Sequence, residues 1–98
     1  MGLDVVVGNE WNSVSHCSRD LAERAGVWSV LWRAENHPEL IRGHHFLAPL
    51  ESAIAFLELN REQLRVLNPS EFDSFSRFLS GLRDSCQRHR RHHVHFSR

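Results

Sequence analysis

The pattern of apolar and polar positions predicts that the chain opens on a strand and continues into a helix. The apolar run at residues 3–7 is rich in valine, and Gly8 and Asn9 close it with residues typical of turns. Apolar residues then recur at helical spacing, and Ser13 or Ser15 can cap the helix that they predict. The residues at this spacing are Cys17, Leu21, Ala25 and Trp28.

The next segment contains two features that interrupt helices. Gly26 is typical of the residue just after a helix, so residues 27–32 are expected to form a separate helical turn. Residues 34–43 contain Asn-His-Pro and a glycine, which together predict an irregular connection.

Two amphipathic helices are predicted in the second half of the chain. An apolar stripe predicts a helix that starts near Phe46, takes Pro49 into its first turn and ends at Asn68. The stripe contains Leu47, Leu50, Ile54, Leu57, Leu64 and Leu67. Ser70 and Asp73 form a loose capping box for a third helix. The apolar face of that helix contains Phe75, Phe78, Leu79, Leu82 and Cys86.

The last residues are expected to end this helix and then form a strand. Residues 87–91 extend the helix, so that its last arginines oppose the negative end of the helix dipole. From residue 92 the pattern alternates, with Val94 and Phe96 on the face opposite to His93 and His95. We therefore predict an α+β fold over one domain, residues 1–98, in the order β-α-α-α-β. A small two-stranded sheet from the chain termini would pack against the three helices.

Composition limits the class of protein. The 98 residues are 41% hydrophobic and 24% charged, which is typical of one globular domain. The formal net charge is zero with neutral histidines, so the molecule as a whole is not a polyanion binder. Eight histidines would add positive charge below about pH 6.5.

No targeting or membrane segment is expected. The apolar run near the start is too short for a signal peptide or a membrane span, and Val6 occupies the position at which myristoylation requires Ser or Thr. Cys17 and Cys86 are far apart in sequence and are expected to be reduced thiols. We expect a cytoplasmic protein.

Enzymatic chemistry is not expected. The chain lacks the nucleophile, phosphate-loop and metalloprotease motifs. Ser15 and His16 are adjacent near a predicted helix start, where their side chains point in different directions and cannot form a nucleophile–base pair by position alone. We expect neither an enzyme nor a cofactor.

The histidine- and arginine-rich tail raises two other hypotheses. His93 and His95 have the HxH spacing of many metal sites, but no third ligand can be identified, so they are only weak candidates and no metal is expected. Residues 88–98 contain four arginines, four histidines and no carboxylate. Nucleic-acid binding normally adds a second basic face with stacking aromatics or a recognition helix. Here the second and third predicted helices instead carry acidic residues, so nucleic-acid binding is not expected. These residues are Glu51, Glu58, Glu62, Glu71, Asp73 and Asp84.

Six residues are candidates for an anion-binding cleft. Ser15 and His16 lie at a helix start with free N–H groups, and Asn68 precedes another. Trp32 and Arg33 combine a flat aromatic ring with a guanidinium, a pair that can stack on a base and hold an anion. The sixth residue, Arg98, is added only by the resemblance to a known family, through the terminal stretch Phe96-Ser97-Arg98.

The chain resembles a family of short bacterial and phage proteins with a domain of unknown function. The family motifs include Thr-His, Leu-Trp-Arg-Pro-Glu, Asn-Pro-Ser and a terminal Val-Ser-Arg. The matching stretches here are Ser13-Val14-Ser15-His16, Glu23-Arg24-Ala25-Gly26, Leu31-Trp32-Arg33-Ala34-Glu35, Asn68-Pro69-Ser70 and Phe96-Ser97-Arg98. Two departures are Ala34 in place of proline and Glu71-Phe72 where the family has an Asn-Gly turn. The resemblance implies a fold and no established activity.

We therefore expect a non-enzymatic module that binds a small phosphorylated or nucleotide-like ligand. In a phage setting, which only the resemblance implies, such a module could sequester a signalling nucleotide. The alternative is a protein–protein interaction module, an adaptor or immunity-type partner, that uses a sheet edge and the arginine- and histidine-rich C-terminus. Because a two-stranded sheet has exposed edges, we also expect a homodimer or larger oligomer.

Overall fold

A computed structural model describes residues 2–98. It contains three strands, which are β1 (Gly2–Val7), β2 (Glu10–Ser15) and β3 (Val94–Ser97). Its α-helices are α1 (Arg19–Arg24), α2 (Trp28–Trp32), α3 (Leu47–Leu59), α4 (Arg61–Leu67) and α5 (Phe72–Arg88). Short 3₁₀ turns occupy His16–Ser18, Ala34–Asn36 and Gly43–Phe46.

The α+β class and the pairing of the terminal strands are confirmed. β1 is the central strand of an antiparallel sheet in the order β2-β1-β3. The two chain ends pair directly, with Asp4 opposite Ser97 and Val7 opposite Val94. The sheet therefore joins the first and last segments of the chain.

The sheet has a third strand, β2, which the sequence did not predict. Gly8 and Asn9 are the two central residues of a β1–β2 hairpin, because Val7 pairs with Glu10. Gly8 has a φ of +62° and Asn9 does not have a positive φ, which is the pattern of a type II′ turn. Ser13, one of the two predicted caps, therefore lies in β2, and the helical segment starts with a 3₁₀ turn at His16 that leads into α1. Ser15, as predicted, caps that start: its side chain accepts a hydrogen bond from the Cys17 N–H.

The long predicted helix at residues 46–67 is two helices. It breaks at Asn60, whose side-chain amide donates to the Phe56 carbonyl at 2.9 Å and so competes with the helical backbone. Pro49 lies in the first turn of α3, as expected. The predicted capping box is wrong, because Glu71 precedes α5 and no side chain caps that helix.

The third predicted helix also ends earlier than expected. α5 stops at Arg88, so Arg90 and Arg91 lie in the connection to β3 and do not belong to the last helical turn. The reason is that this connection bonds to another segment: the Gly43 N–H donates to the His92 carbonyl at 2.9 Å, and the His44 N–H donates to the Arg90 carbonyl at 3.0 Å.

The helices cover one face of the sheet, and the core lies between them. Leu3, Val5 and Val7 of β1 are fully buried, and α5 supplies the largest share of the facing residues. The buried apolar residues of α5 are Phe72, Phe75, Phe78, Leu79, Leu82 and Cys86. Both cysteines are unpaired, as predicted; Cys17 is exposed, whereas burial raises the pKa of the Cys86 thiol to about 12.

The other face of the sheet carries a transverse row of three side chains. Val6 pairs with Trp11 on one side and with His95 on the other, so these residues point to the same face. Trp11 is 68% exposed. Within residues 2–98 none of the helices combines the length and the apolar character needed to cross a membrane.

Candidate functional site

A concavity of about 300 Å³ lies between β3 and the end of α2. It forms because β3 returns the chain end to the side of the α2 C-terminus. Its lining consists of Leu31, Trp32, Ala34, Glu35, Val94, His95, Phe96 and Arg98. Two of the six residues predicted from the sequence, Trp32 and Arg98, therefore meet in one depression.

Arg98 is the cationic group of this concavity. One arm of its guanidinium donates a hydrogen bond to the Trp32 carbonyl, which fixes the side chain across the depression. Another arm lies 3.7 Å from the Glu35 carboxylate. Both partners of this ion pair are about half exposed, at 53% and 54%, so the pair contributes little to stability and an incoming anion can replace Glu35.

Trp32 contributes a wall and a carbonyl. Its side chain is packed into the core, and only 8% of the residue is exposed. A ligand in the concavity would therefore touch only the small exposed part of Trp32. The sequence predicts that the Trp32 ring stacks on the ligand, and little of the residue is accessible for that contact.

The other four predicted residues lie outside the lining of this concavity. Ser15 caps the 3₁₀ turn that His16 begins, and both are exposed. The Asn68 amide donates to the Asp20 carboxylate at 3.0 Å, and the Arg24 Nε–H donates to the same oxygen at 2.9 Å. These two hydrogen bonds lower the pKa of Asp20 from its ordinary value, with the Asn68 contribution the larger.

Arg33 packs on an aromatic ring away from that lining. Its guanidinium carbon lies 5.6 Å from the centre of the Trp28 ring, and that of Arg19 lies 4.4 Å from the same ring. Two cations therefore share one half-buried indole.

His95 lies in β3 and His93 directly precedes that strand; the centres of their rings are 6.3 Å apart. Among residues 2–98, no three His, Cys, Asp or Glu side chains gather at metal-binding spacing.

A partly exposed polar cluster joins β2 to the C-terminal end of α5, and the sequence analysis missed it. Glu10 accepts hydrogen bonds from the Ser85 hydroxyl at 2.8 Å, from Arg88 through both carboxylate oxygens, and from His89 Nε2 at 2.8 Å. Asn12 donates to the Ser85 hydroxyl oxygen at 3.2 Å. The one sequence signal for the cluster is the two-residue spacing of Glu10, Asn12 and Val14, which places them on the same face of a strand.

This cluster is a structural connection. The hydrogen bonds from Arg88, and after them those from Ser85 and His89, lower the pKa of Glu10 to about 2. A nucleophile–base pair requires a hydrogen bond between serine and histidine. Here Ser85 and His89 each form a hydrogen bond with Glu10, on different carboxylate oxygens, and so do not form such a pair with each other.

A second depression, of about 430 Å³, follows the junction of α3 and α4. Its lining is the continuous stretch 58–63, in which Arg61 already pairs with Glu58 at 2.5 Å. This depression surrounds the short connection between α3 and α4, and its one arginine, Arg61, is already paired with a carboxylate.

Similarity to known proteins adds no family to these observations. No protein-family model, curated protein or solved structure matches the chain. The resemblance to short bacterial and phage proteins, carried by Leu31-Trp32-Arg33 and Asn68-Pro69-Ser70, stays a prediction.

Proposed function

We propose that this protein is a non-enzymatic binding module for a small anionic ligand, of a phosphorylated or nucleotide-like kind, which enters the concavity between β3 and α2. The observation that carries this proposal is the position of Arg98. Its guanidinium is held by the Trp32 carbonyl at the concavity, and within residues 2–98 its only carboxylate partner is the exposed Glu35.

The chemistry of the guanidinium suits such a ligand. A planar guanidinium has five N–H donors and binds phosphate or carboxylate oxygens in pairs. One donor is used by the Trp32 carbonyl, which orients the rest of the group. His95 also lines the depression, but its side chain points to the outer face of the sheet with Val6 and Trp11, so Arg98 is the side chain that binds the ligand.

Of the six candidate residues, the proposal gives direct ligand contacts to Trp32 and Arg98, and the ligand takes the place of the Glu35 carboxylate at Arg98. Ser15 and Asn68 already have side-chain hydrogen bonds to Cys17 and Asp20. Those two contacts serve the local fold, and a ligand in the concavity does not need them.

Thermal unfolding with and without phosphorylated compounds tests the proposal. Inorganic phosphate, a nucleoside monophosphate and a nucleoside triphosphate are the probes. A probe at a hundred times its dissociation constant stabilises the folded state by about 2.7 kcal/mol, which raises the Tm of a domain of this size by roughly 10 °C or more. We expect at least one probe to do so.

Two variants make the experiment specific. Arg98→Ala removes the cation of the concavity and should abolish the shift, whereas Arg77→Ala removes an exposed arginine of α5 and should leave it unchanged. Equal shifts in both variants, or no shift of the wild-type protein with any probe, would remove the proposal.

The second candidate function is a protein–protein interaction module. It is favoured by the strand order, since β2 and β3 are both edge strands of the sheet. A partner strand could pair with either edge, next to the arginine- and histidine-rich C-terminus. This candidate replaces the first if no phosphorylated probe raises the Tm of the protein and if Arg33→Ala and Arg98→Ala do not change the Tm measured with the probes.

The compartment that fits either function is the cytoplasm. Cys17 and Cys86 are unpaired, and reducing compartments keep thiols in this state.

A further inference from the structure

The positive charge of the chain is concentrated in two segments. Residues 40–50 and 85–98 together contain five arginines and six histidines, and no aspartate or glutamate. Because the whole chain is neutral, the remaining residues carry a net charge of −5. The neutral total therefore hides a separation of charge.

The two segments pack against each other. The Arg42 guanidinium donates to the Arg91 carbonyl at 2.6 Å, and Arg42 forms a β-bridge with His93. The His44 N–H donates to the Arg90 carbonyl. Arg42, Arg90 and Arg91, all exposed, are thus brought together next to the start of β3.

In the described part of the chain, these three arginines have no carboxylate within 4.0 Å. Within residues 2–98, seven of the twelve arginines lie within 4.0 Å of a carboxylate. Arg42, Arg90 and Arg91 are three of the remaining five. Cations that no carboxylate neutralises attract a polyanion most strongly.

A flat aromatic surface adjoins this basic cluster. Trp11, Val6 and His95 form the transverse row on the outer sheet face, and His93 lies two residues before His95 on the same edge. Trp11 is 68% exposed, and the His93 and His95 ring centres are 6.3 Å apart. Exposed aromatic rings on an open antiparallel sheet are the platform on which single-stranded bases stack.

We propose that the outer face of the sheet binds single-stranded nucleic acid, with a base stacked on Trp11 and backbone phosphates against Arg42, Arg90 and Arg91. The structure thus places a second basic segment and an exposed aromatic ring beside the basic tail, which the sequence analysis did not predict. A duplex fits this face less well, because the groove reader of a duplex is a projecting helix or ribbon. An acidic peptide would use the arginines and leave Trp11 without a role.

Fluorescence polarisation with a labelled single-stranded oligonucleotide of twelve residues, as RNA and as DNA, tests this proposal. At low salt the wild-type protein should bind at least one of the two. Trp11→Ala should weaken binding about tenfold, because one stacked base is lost. Arg90→Gln/Arg91→Gln should reduce the slope of log K against log salt by about 1.4, since two phosphate contacts are lost.

The matched controls lie on α3 and α4. Arg61→Gln/Arg65→Gln removes the same charge from α4, and Leu59→Ala removes a side chain of a residue that is 86% exposed. Both should change the dissociation constant less than twofold, and circular dichroism checks that every variant is folded.

Three results would overturn the proposal. One is the absence of oligonucleotide binding at 100-micromolar-scale protein (on the order of the weakest non-specific affinities) and low salt. The second is an equal loss of affinity in the α4 control. The third is binding that is unaffected by Trp11→Ala and competed by polyglutamate, which would identify the face as a surface for an acidic protein.

Discussion

Glu10 occupies an inward-facing position of β2, at which most strands carry an apolar residue. It is tolerated there because Ser85 and Arg88 of α5, and His89 directly after that helix, donate hydrogen bonds to it. A carboxylate that accepts several hydrogen bonds is held in its charged form, which is why the pKa of Glu10 falls to about 2.

The low pKa of Glu10 predicts a pH dependence of stability. In the unfolded chain this carboxyl has its ordinary value of 4.5, so on acidification the unfolded state takes up the proton first. The contribution of Glu10 is therefore complete above about pH 5 and is lost as the pH falls from 4.5 towards 2. Urea midpoints of the wild type and Glu10→Gln should differ at pH 7, with the wild type more stable, and converge near pH 2.

Glu62→Gln is the matched control, since Glu62 is exposed on α4. Its midpoint should follow the wild type at every pH. A Glu10→Gln difference that persists unchanged at pH 2 would contradict the role given to the carboxylate.

The residues of the candidate site could be predicted only in part. Trp32 is predicted from its chemistry and Arg98 from the family resemblance, and the structure places both in one lining. Glu10 and Ser85 were not predicted, because their contact links positions 75 residues apart and neither residue belongs to a motif. Such a contact is decided by how β2 packs on α5, which a local pattern does not contain.

At the scale of elements, the β1–β2 turn packs so closely on His89 that no side chain fits at Gly8. A Cβ atom at Gly8 would lie 2.7 Å from Nδ1 of His89, and Gly8 also has a φ of +62°. Gly26 has a similar φ of +77° but nothing within 4 Å of the corresponding Cβ position. Both glycines therefore have a backbone that strains other residues, but only Gly8 also has a side chain close to its Cβ position.

Gly26→Ala should lower the free energy of unfolding by about 1 kcal/mol, the cost of a left-handed alanine. Gly8→Ala should lower it by about 1–3 kcal/mol more, because the His89 ring must move. Denaturant unfolding of both variants measures the difference.

The His89→Ala background provides the control for this prediction. There the ring is absent, and Gly8→Ala should cost about 1–3 kcal/mol less than it does in the wild-type background. If Gly8→Ala costs the same with and without the imidazole, the contact does not constrain the turn.

The elements that could be predicted are those with a simple apolar pattern. β1 and α5 were found because Leu3, Val5 and Val7 alternate and the α5 phenylalanines recur at helical spacing. β2 was missed because two of its three inward positions, Glu10 and Asn12, are polar. The end of α5 was placed too late because its stop depends on bonds from Gly43 and His44, which come from a distant segment.

At the scale of the whole molecule, two features favour self-association. The sheet ends in two edge strands, β2 and β3, whose backbone groups can pair with another copy. The separation of the positive segments from the acidic remainder also lets opposite poles of two copies attract each other.

We therefore expect a homodimer or a larger oligomer. Size-exclusion chromatography with light scattering at micromolar concentration should give a mass of at least twice 11.4 kDa. Repeating it in about 1 M salt, where the Debye length is about 3 Å, shows whether charge or strand pairing holds the copies together. A mass of 11.4 kDa in both conditions would remove this prediction.

The most direct test of the concavity between β3 and α2 is a nuclear magnetic resonance titration of the ¹⁵N-labelled protein with inorganic phosphate. We expect the largest shifts at the Arg98 Nε–H and at the amides of Trp32, Glu35 and His95, with saturation at one concentration. Shifts confined to Arg42, Arg90 and Arg91, or no saturable shift in the lining of the concavity, would contradict an anion site there.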